Sequence, residues 1–362
     1  MKKFWLLLFC VLMGSALYGQ HLPDVFGENH FQRDRTFYYL SNRLDDLFHK
    51  EHIDSKKPWQ AALFLGTQLR PTEETLHALK EQIRSGNLQR ATVLSFAVQG
   101  TDAAGTAYLY TLYSNEGKAE MRSRSFSPDT PLAVLLDALF MPLQVSPDLY
   151  TALIINGRGD GISIRYSKGY VLLLSDLYRP LAARHLRIDV LDLQACRMGS
   201  AFAVKQMLQN GHIHYAIVSS NLRRGSRETM YYRLLNHFDK NPREAALAAH
   251  REFAEIIDFS SDKSTHNSIV LDLAILQEPF RKWTLTSPSV LLESGWHSFR
   301  DFLLGQSTSS ANNLARALDE AVLDQWCYSV QTHQLYQKNI PADNDCIDGI
   351  NVNREMIPAF LP

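Results

Sequence analysis

Two short stretches combine residue types that could do chemistry. One is Asn156-Gly157-Arg158-Gly159-Asp160-Gly161, and the other is Gln194-Ala195-Cys196-Arg197-Met198-Gly199-Ser200. A cysteine that follows a buried strand and opens a helix can act as a nucleophile, because the helix N-terminus favours a thiolate and small neighbours such as Gly199 and Ser200 let a ligand approach the backbone. A cysteine at a strand end also serves simply as a small buried hydrophobe, and spacing alone leaves both readings open. The glycines from 157 to 161 suggest an anion-binding loop. The stretch nevertheless fails the dinucleotide pattern and lacks the lysine of a P-loop, and the residues after it, Ile162–Tyr166, read as strand rather than helix. No close His/Cys/Asp grouping has the spacing of metal ligands, so neither a metal nor another cofactor is expected.

The elements that must position these residues are two apolar runs, Thr151–Ile155 and Leu186–Leu193, which break off abruptly into them. Runs rich in Ile, Leu and Val with polar ends are what buried parallel strands look like. Between them, Leu173, Leu174, Leu177 and Leu181 have the spacing of one helix face within Leu172–Leu181. A strand, crossover helix and strand deliver both carboxyl ends to one sheet edge, the edge where open α/β sheets bind ligands. Asn156–Gly161 and Cys196 should therefore meet.

The remaining chain fits a three-layer α/β sandwich with a mainly parallel sheet and helices added at both ends. Strands are expected at Trp59–Leu65, Ala91–Val98, Tyr108–Tyr113, Tyr215–Ser220 and Ser268–Leu273. Helices are expected at Thr36–Phe48, from Pro71 to Arg84, after a Thr130 N-cap, at Ala201–Leu208, Met230–Phe238, Arg243–Ile257, Val290–Leu304 and Asn313–Trp326. Asp345–Val352 shows no pattern.

Composition bounds the function. The chain has 362 residues, 45% hydrophobic and 21% charged, with a formal net charge of −1, which offers no footprint for nucleic acid. Met1-Lys2-Lys3, the apolar run Phe4–Met13 and small residues from Gly14 to Gly19 read as a secretory signal, too short for a membrane span. The expected division is a signal at 1–19, a helical extension at 20–58, the α/β unit at 59–283 and a helical region at 284–362. An exported chain, periplasmic, surface or secreted, allows disulfides. Of its cysteines, Cys327 and Cys346 are the expected pair, leaving Cys196 as a free thiol.

The order of elements from about Trp59 to Leu273 resembles the clostripain-like cysteine peptidases, relatives of caspases, legumains and gingipains. Leu153–Gly161 resembles a family strand ending in Asn-His-Gly, and Asp192–Ser200 one ending in Asp-Ala-Cys-x-Met. Tyr215–Ser220 resembles a later strand ending in serine. The resemblance implies a caspase-like fold, a Cys/His dyad and cleavage after basic residues. It places the nucleophile at Cys196 and substrate contacts around Asn156, Arg158, Gln194 and Ser220. Two positions depart from it. Gly157 stands where the family has its catalytic histidine, and Gln194 stands where it has the aspartate linked to binding basic side chains.

No other histidine has a sequence reason to replace the missing base. His185 precedes the Cys196 strand and so lies on the order of 30 Å away at the far end, and His212 and His214 precede the next strand. His266, His237 and His250 stay open. Asp160 near its normal pKa is a poor proton acceptor for a thiol, and Arg158 can favour a thiolate but cannot shuttle a proton. Arg223, Arg224 and Arg227 could bind an anion or form a solvated loop. The leading expectation is an exported homologue with impaired catalysis that binds a peptide or protein segment in its cleft. The alternatives are an active endopeptidase with a displaced base and altered specificity, and an interaction protein in which Cys196 is incidental.

Overall fold

The polypeptide turns its apolar runs into strands and its 3.6-period stretches into helices that cover them. In chain order these are β1 (Trp59–Leu65), α1 (Leu69–Arg84), β2 (Leu88–Ala97), β3 (Thr106–Asn115), β4 (Lys118–Phe126), α2 (Leu132–Phe140) and β5 (Tyr150–Asn156). Three two-residue strands follow, β6 (Arg158–Gly159), β7 (Ile164–Arg165) and β8 (Val171–Leu172), and then α3 (Tyr178–Ala183), β9 (Ile188–Gln194), α4 (Ala201–Asn210) and β10 (Ile213–Val218). The chain continues with α5 (Pro242–Ile256), β11 (His266–Asp272), α6 (Leu273–Lys282), β12 (Trp296–Ser298), α7 (Phe299–Gly305), α8 (Ser309–Ala321), β13 (Val322–Ser329), β14 (Gln334–Gln337) and β15 (Asn351–Asn353). This computed structural model describes residues 57–65, 69–97, 106–166, 170–220, 233–256, 265–285, 296–329, 331–332, 334–337, 349–353, 356 and 360. The expected signal, the Thr36–Phe48 helix, Arg223, Arg224, Arg227 and Cys346 lie outside these residues.

A ten-stranded sheet in the order β14-β13-β11-β10-β9-β5-β1-β2-β3-β4 forms the middle layer. Its central strands β2, β1, β5, β9 and β10 run parallel, and antiparallel strands extend it on both sides. Side-chain alternation separates two cores. Leu153, Ile155, Leu191 and Leu193 face a layer that includes Leu135, Leu181, Val204, Leu276 and Leu314. Ala152, Ile154 and Val190 face Leu76 and Leu79 of α1 and Ala245 and Ala249 of α5. The result is the expected three-layer sandwich.

Several local expectations need correction. The crossover Leu172–Leu181 is not one helix but a 3-10 turn at Leu174–Leu177 followed by α3. The Asp176 carboxylate accepts from the Leu173 N–H and tightens the turn, while Pro180 lacks the N–H that would join the two pieces. Helix α2 starts after Pro131 with no side-chain cap, and the Thr130 carbonyl instead accepts from the Tyr170 hydroxyl. The region 284–362 is not simply helical. The expected helix Asn313–Trp326 ends at Ala321, where α8 gives way to β13, whose β-branched and aromatic residues Val322, Trp326 and Tyr328 favour strand. Arm β4 had no apolar pattern to announce it, because both its faces are largely exposed. Its turn with β3 takes positive φ at Glu116 and Gly117, the geometry of a tight hairpin.

Candidate active site

Strands β5 and β9 end side by side. Asn156 pairs with Gln194, and both the Asn156 side-chain amide and the Gly157 N–H donate to the Gln194 carbonyl at 3.4 Å. Beyond this point the chain from Gly157 folds as the β6–β7 arm, with Arg158 opposite Arg165 and Gly159 opposite Ile164. The arm lies directly on the turn that carries Cys196. A Cβ on Gly159 would sit 2.1 Å from the Cys196 carbonyl oxygen and 2.9 Å from Met198 Cγ, so only glycine permits the approach. The two stretches thus meet at one edge of the sheet, as the strand–helix–strand reading requires.

Cys196 is half-buried and takes part in no disulfide, and Cys327 is disulfide-bonded. The expectation that Cys196 opens a helix is corrected. Helix α4 starts at Ala201 and is capped by Ser200, whose hydroxyl accepts from the Ala203 N–H and donates to the Gly161 carbonyl. Cys196 lies four residues ahead of this cap, in a turn where Arg197 adopts a left-handed φ of 59°, so the helix dipole, which fades within the first turn, is not aimed at the thiol. The turn is held from behind, where the Gly199 N–H donates to the Ser219 carbonyl at 2.6 Å. Positive charge around the thiol comes instead from side chains. A cleft of ≈ 650 Å³ is lined by Arg158, Gly159, Asp160, Arg165, Tyr166, Cys196 and Arg197.

The space around Gly157 is filled. A Cβ on Gly157 would lie 2.5 Å from Ile164 Cγ2, 3.1 Å from Tyr166 Cε1 and 3.3 Å from Tyr166 Cζ. Ile164 is fully buried, and Tyr166 packs its ring edge-to-face on Phe64 with centroids 4.5 Å apart. Neither can step aside without disturbing the core. Burial also pushes the Tyr166 phenol well above its ordinary pKa, so it stays protonated and cannot serve as the base.

The other candidates are accounted for by geometry. Burial alone would raise the Asp160 carboxyl, but the Ser163 and Ile162 N–H groups, the Ser163 hydroxyl and Arg165 hold it below its usual value, which makes it a poorer base still. His212 is at the amino end of the sheet, where its carbonyl accepts from the Ile188 N–H. His250 is buried against Ser268 at 3.0 Å and pushed down to about 3 by burial, with Arg233 and Arg251 adding to the effect. The half-buried His237 pairs with Glu252 at 2.6 Å. Strand β11 runs antiparallel to β10, so His266 starts at the same edge as Cys196, but two strands away and not on the cleft.

Gln194 and Ser220 are placed away from the cleft. The Gln194 amide donates to Asp192 Oδ2 at 2.9 Å. Asp192 in turn accepts from Arg233 Nη2 at 2.6 Å and Nε at 3.2 Å, all fully buried, with the guanidinium 4.4 Å over the Phe253 ring. An aspartate at 194 would bring a second carboxylate against Asp192, so the glutamine suits the pair already present. The Ser220 hydroxyl bonds the carbonyls of Gly349 and Gly199, and pins the C-terminal segment. Sequence reasoning missed Asp192, Arg233, Arg165, Tyr166 and Arg197. Asp192 gave a usable signal, since an aspartate inside an apolar strand needs a buried partner.

No protein-family model and no curated protein matches the sequence. Among solved structures, a secreted C11 cysteine protease from Bacteroides thetaiotaomicron, in complex with an irreversible peptide inhibitor, matches with a TM-score of 0.54 and 14% identity. The match covers 82% of this chain and 92% of that one. An inactive zymogen C11 protease from Parabacteroides distasonis matches with a TM-score of 0.51 and 14% identity, over 85% and 95% of the two chains.

Proposed function

We propose that this chain, which has the fold of the C11, clostripain-like cysteine proteases, is an exported homologue with impaired catalysis that acts by holding a peptide or protein segment in the cleft beside Cys196. The observation that carries the reading is Gly157, where the expected base has no side chain and its space is filled by Ile164 and Tyr166. A positioned acid/base is worth about 10²–10⁴-fold, and members of a dyad act as a unit, so the loss of one removes most of the effect. Without a proton donor a thiolate can still trap an electrophile, but the leaving amine departs unprotonated. Export is supported by the Met1–Gly19 pattern and by the description of the first compared protease as secreted. Among the described residues no helix is long and apolar enough to cross a membrane. The proposed organisation is a cleaved signal at 1–19, an extension at 20–58 and the protease-like unit from 59 onward.

The test is a panel of fluorogenic peptides offered to the wild type and to Cys196→Ala. The expected result is no turnover after Arg or Lys above the Cys196→Ala background. Wild-type turnover that disappears in Cys196→Ala would show a displaced base at work, and His266→Ala would then be the first variant to examine. Alkylation of Cys196 by iodoacetamide that is slowed by bound peptide is expected for a cleft in use. An alkylation rate that no peptide alters would point to an incidental cysteine.

A further inference from the structure

We infer that the cleft beside Cys196 takes a carboxylate-bearing peptide segment and that Arg158 is the residue that reads its charge. The inference rests on the cleft-binding reading above and names the ligand class. Among the described residues the lining holds three arginines, Arg158, Arg165 and Arg197, and one carboxylate, that of Asp160. That carboxylate is already committed. It accepts from the Ile162 N–H at 2.9 Å and the Ser163 N–H at 2.8 Å, takes the Ser163 hydroxyl, and pairs with Arg165 at 3.2 Å. Arg158 is exposed at the rim and makes no ion pair among the described residues.

A second observation points the same way. Tyr166 lines the cleft at 6% exposure, and its hydroxyl has no hydrogen-bond partner. Held protonated by burial, it has a proton to donate, and a carboxylate is the strongest acceptor a peptide carries. The cleft therefore offers a planar fork for a bidentate ion pair and a phenol donor, a set suited to an anion. A lysine or arginine side chain would meet the like charge of Arg158, and the one carboxylate among the described lining residues is already paired. The polarity is opposite to the basic preference that the family resemblance implies. It follows from the arginines of the β6–β7 arm and the Cys196 turn.

The experiment is calorimetric titration of the full chain with blocked hexapeptides of one neutral backbone that carry a single Asp, Glu, Asn or Lys. The same neutral peptide with a free or an amidated C-terminus completes the set. Peptide protection of Cys196 from iodoacetamide is measured in parallel. The Asp and Glu peptides should bind on the order of ten-fold tighter than the Asn and Lys peptides, and the preference should shrink with salt. Arg158→Ala should flatten the preference and Arg158→Glu should reverse it, with unchanged melting temperatures because Arg158 is exposed. Tight binding of the free-terminus peptide alone would identify a chain terminus as the source of the carboxylate and supports the inference. Wild-type protein that binds the Lys peptide as tightly as the Asp peptide overturns it, as does an acidic preference that survives Arg158→Glu. Charge-blind protection of Cys196 would sink the ligand class while leaving the cleft in use. Absence of protection by every peptide would remove the cleft-binding reading itself.

Discussion

The chain sets arginines beside a carboxylate twice at the same end of its sheet, with opposite results. On one face of β9, Asp192 and Arg233 are fully buried and bonded through two hydrogen bonds. On the cleft side, Asp160 and Arg165 meet at 3.2 Å with side chains 36% and 66% exposed, beside two further arginines. The first group is neutral and dry, and its worth is structural, because breaking a buried pair strands a charge. The second is wet, contributes little as an ion pair, and stands beside the exposed Arg158 at the rim of the cavity. The same residue types thus serve the fold or the ligand according to how much water reaches them.

That contrast can be broken most forcefully at Arg233. Arg233→Ala should destabilise the protein by about 3–5 kcal/mol in urea unfolding. Replacing both partners with apolar residues should recover a good part of that loss. A change under about 1 kcal/mol for the single variant would mean that the pair is better hydrated than its burial indicates.

A histidine at 157 probes the cleft side. Gly157→His should cost about 1–3 kcal/mol through overpacking against Ile164 and Tyr166, and should restore no turnover. Adding Ile164→Ala should reduce the combined cost below the sum of the two single variants, since the two sites are in contact. Hydrolysis by Gly157→His alone, measured with the fluorogenic panel, would show that the core yields more readily than its packing implies.

The dry side also carries a pH signature. His250, pushed down to about 3 by burial, then by Arg233 and Arg251, is protonated in the unfolded chain below about 6.5 while the folded protein keeps it neutral. The unfolded state then binds the extra proton, so stability is fully present above about pH 6.5 and falls as pH drops from there toward 3. The slope contributed is about 1.4 kcal/mol per pH unit. Chemical denaturation at a series of pH values should show this slope in the wild type, and His250→Asn should lose it.

The smallest effect belongs to the wet pair. Asp160→Asn should change stability by less than about 1 kcal/mol, because the carboxylate is part-exposed and an amide can still accept from Ile162 and Ser163. The same variant should strengthen binding of the acidic peptides, by titration calorimetry, because it removes the one carboxylate among the described lining residues.

Much of the site could be read from residue order. Thr151–Ile155 and Leu186–Leu193 had to be adjacent parallel strands, because continuous apolar runs need burial on both faces, and their ends had to bring Gly157 and Cys196 to one edge. What could not be read was the filling of the space at Gly157. Ile164 and Tyr166 return there only because the β6–β7 arm turns back, and nothing in a short I-S-I-R-Y stretch fixes such a turn. Helix α4 starts at Ala201 as its apolar spacing predicts, but the sequence does not separate Cys196 from that start, because Met198-Gly199-Ser200 fits a helix opening as well as a turn until the contact with Ser219 is known. The first part of β13, up to Trp326, has the spacing of a helix, since its apolar positions continue those of α8.

By itself the sequence determined the sandwich, the edge at which chemistry could occur, and the residue types there, a cysteine at 196 and a glycine at 157. These depend on side-chain periodicity and residue identity, which are local. Only the tertiary structure decided which charges are neutralised. Arg233 reaches Asp192 from 41 residues away, and Arg165 reaches Asp160 while Arg158 has no ion pair among the described residues, because Coulomb energies depend on distance and on water, and both are set by how distant segments pack.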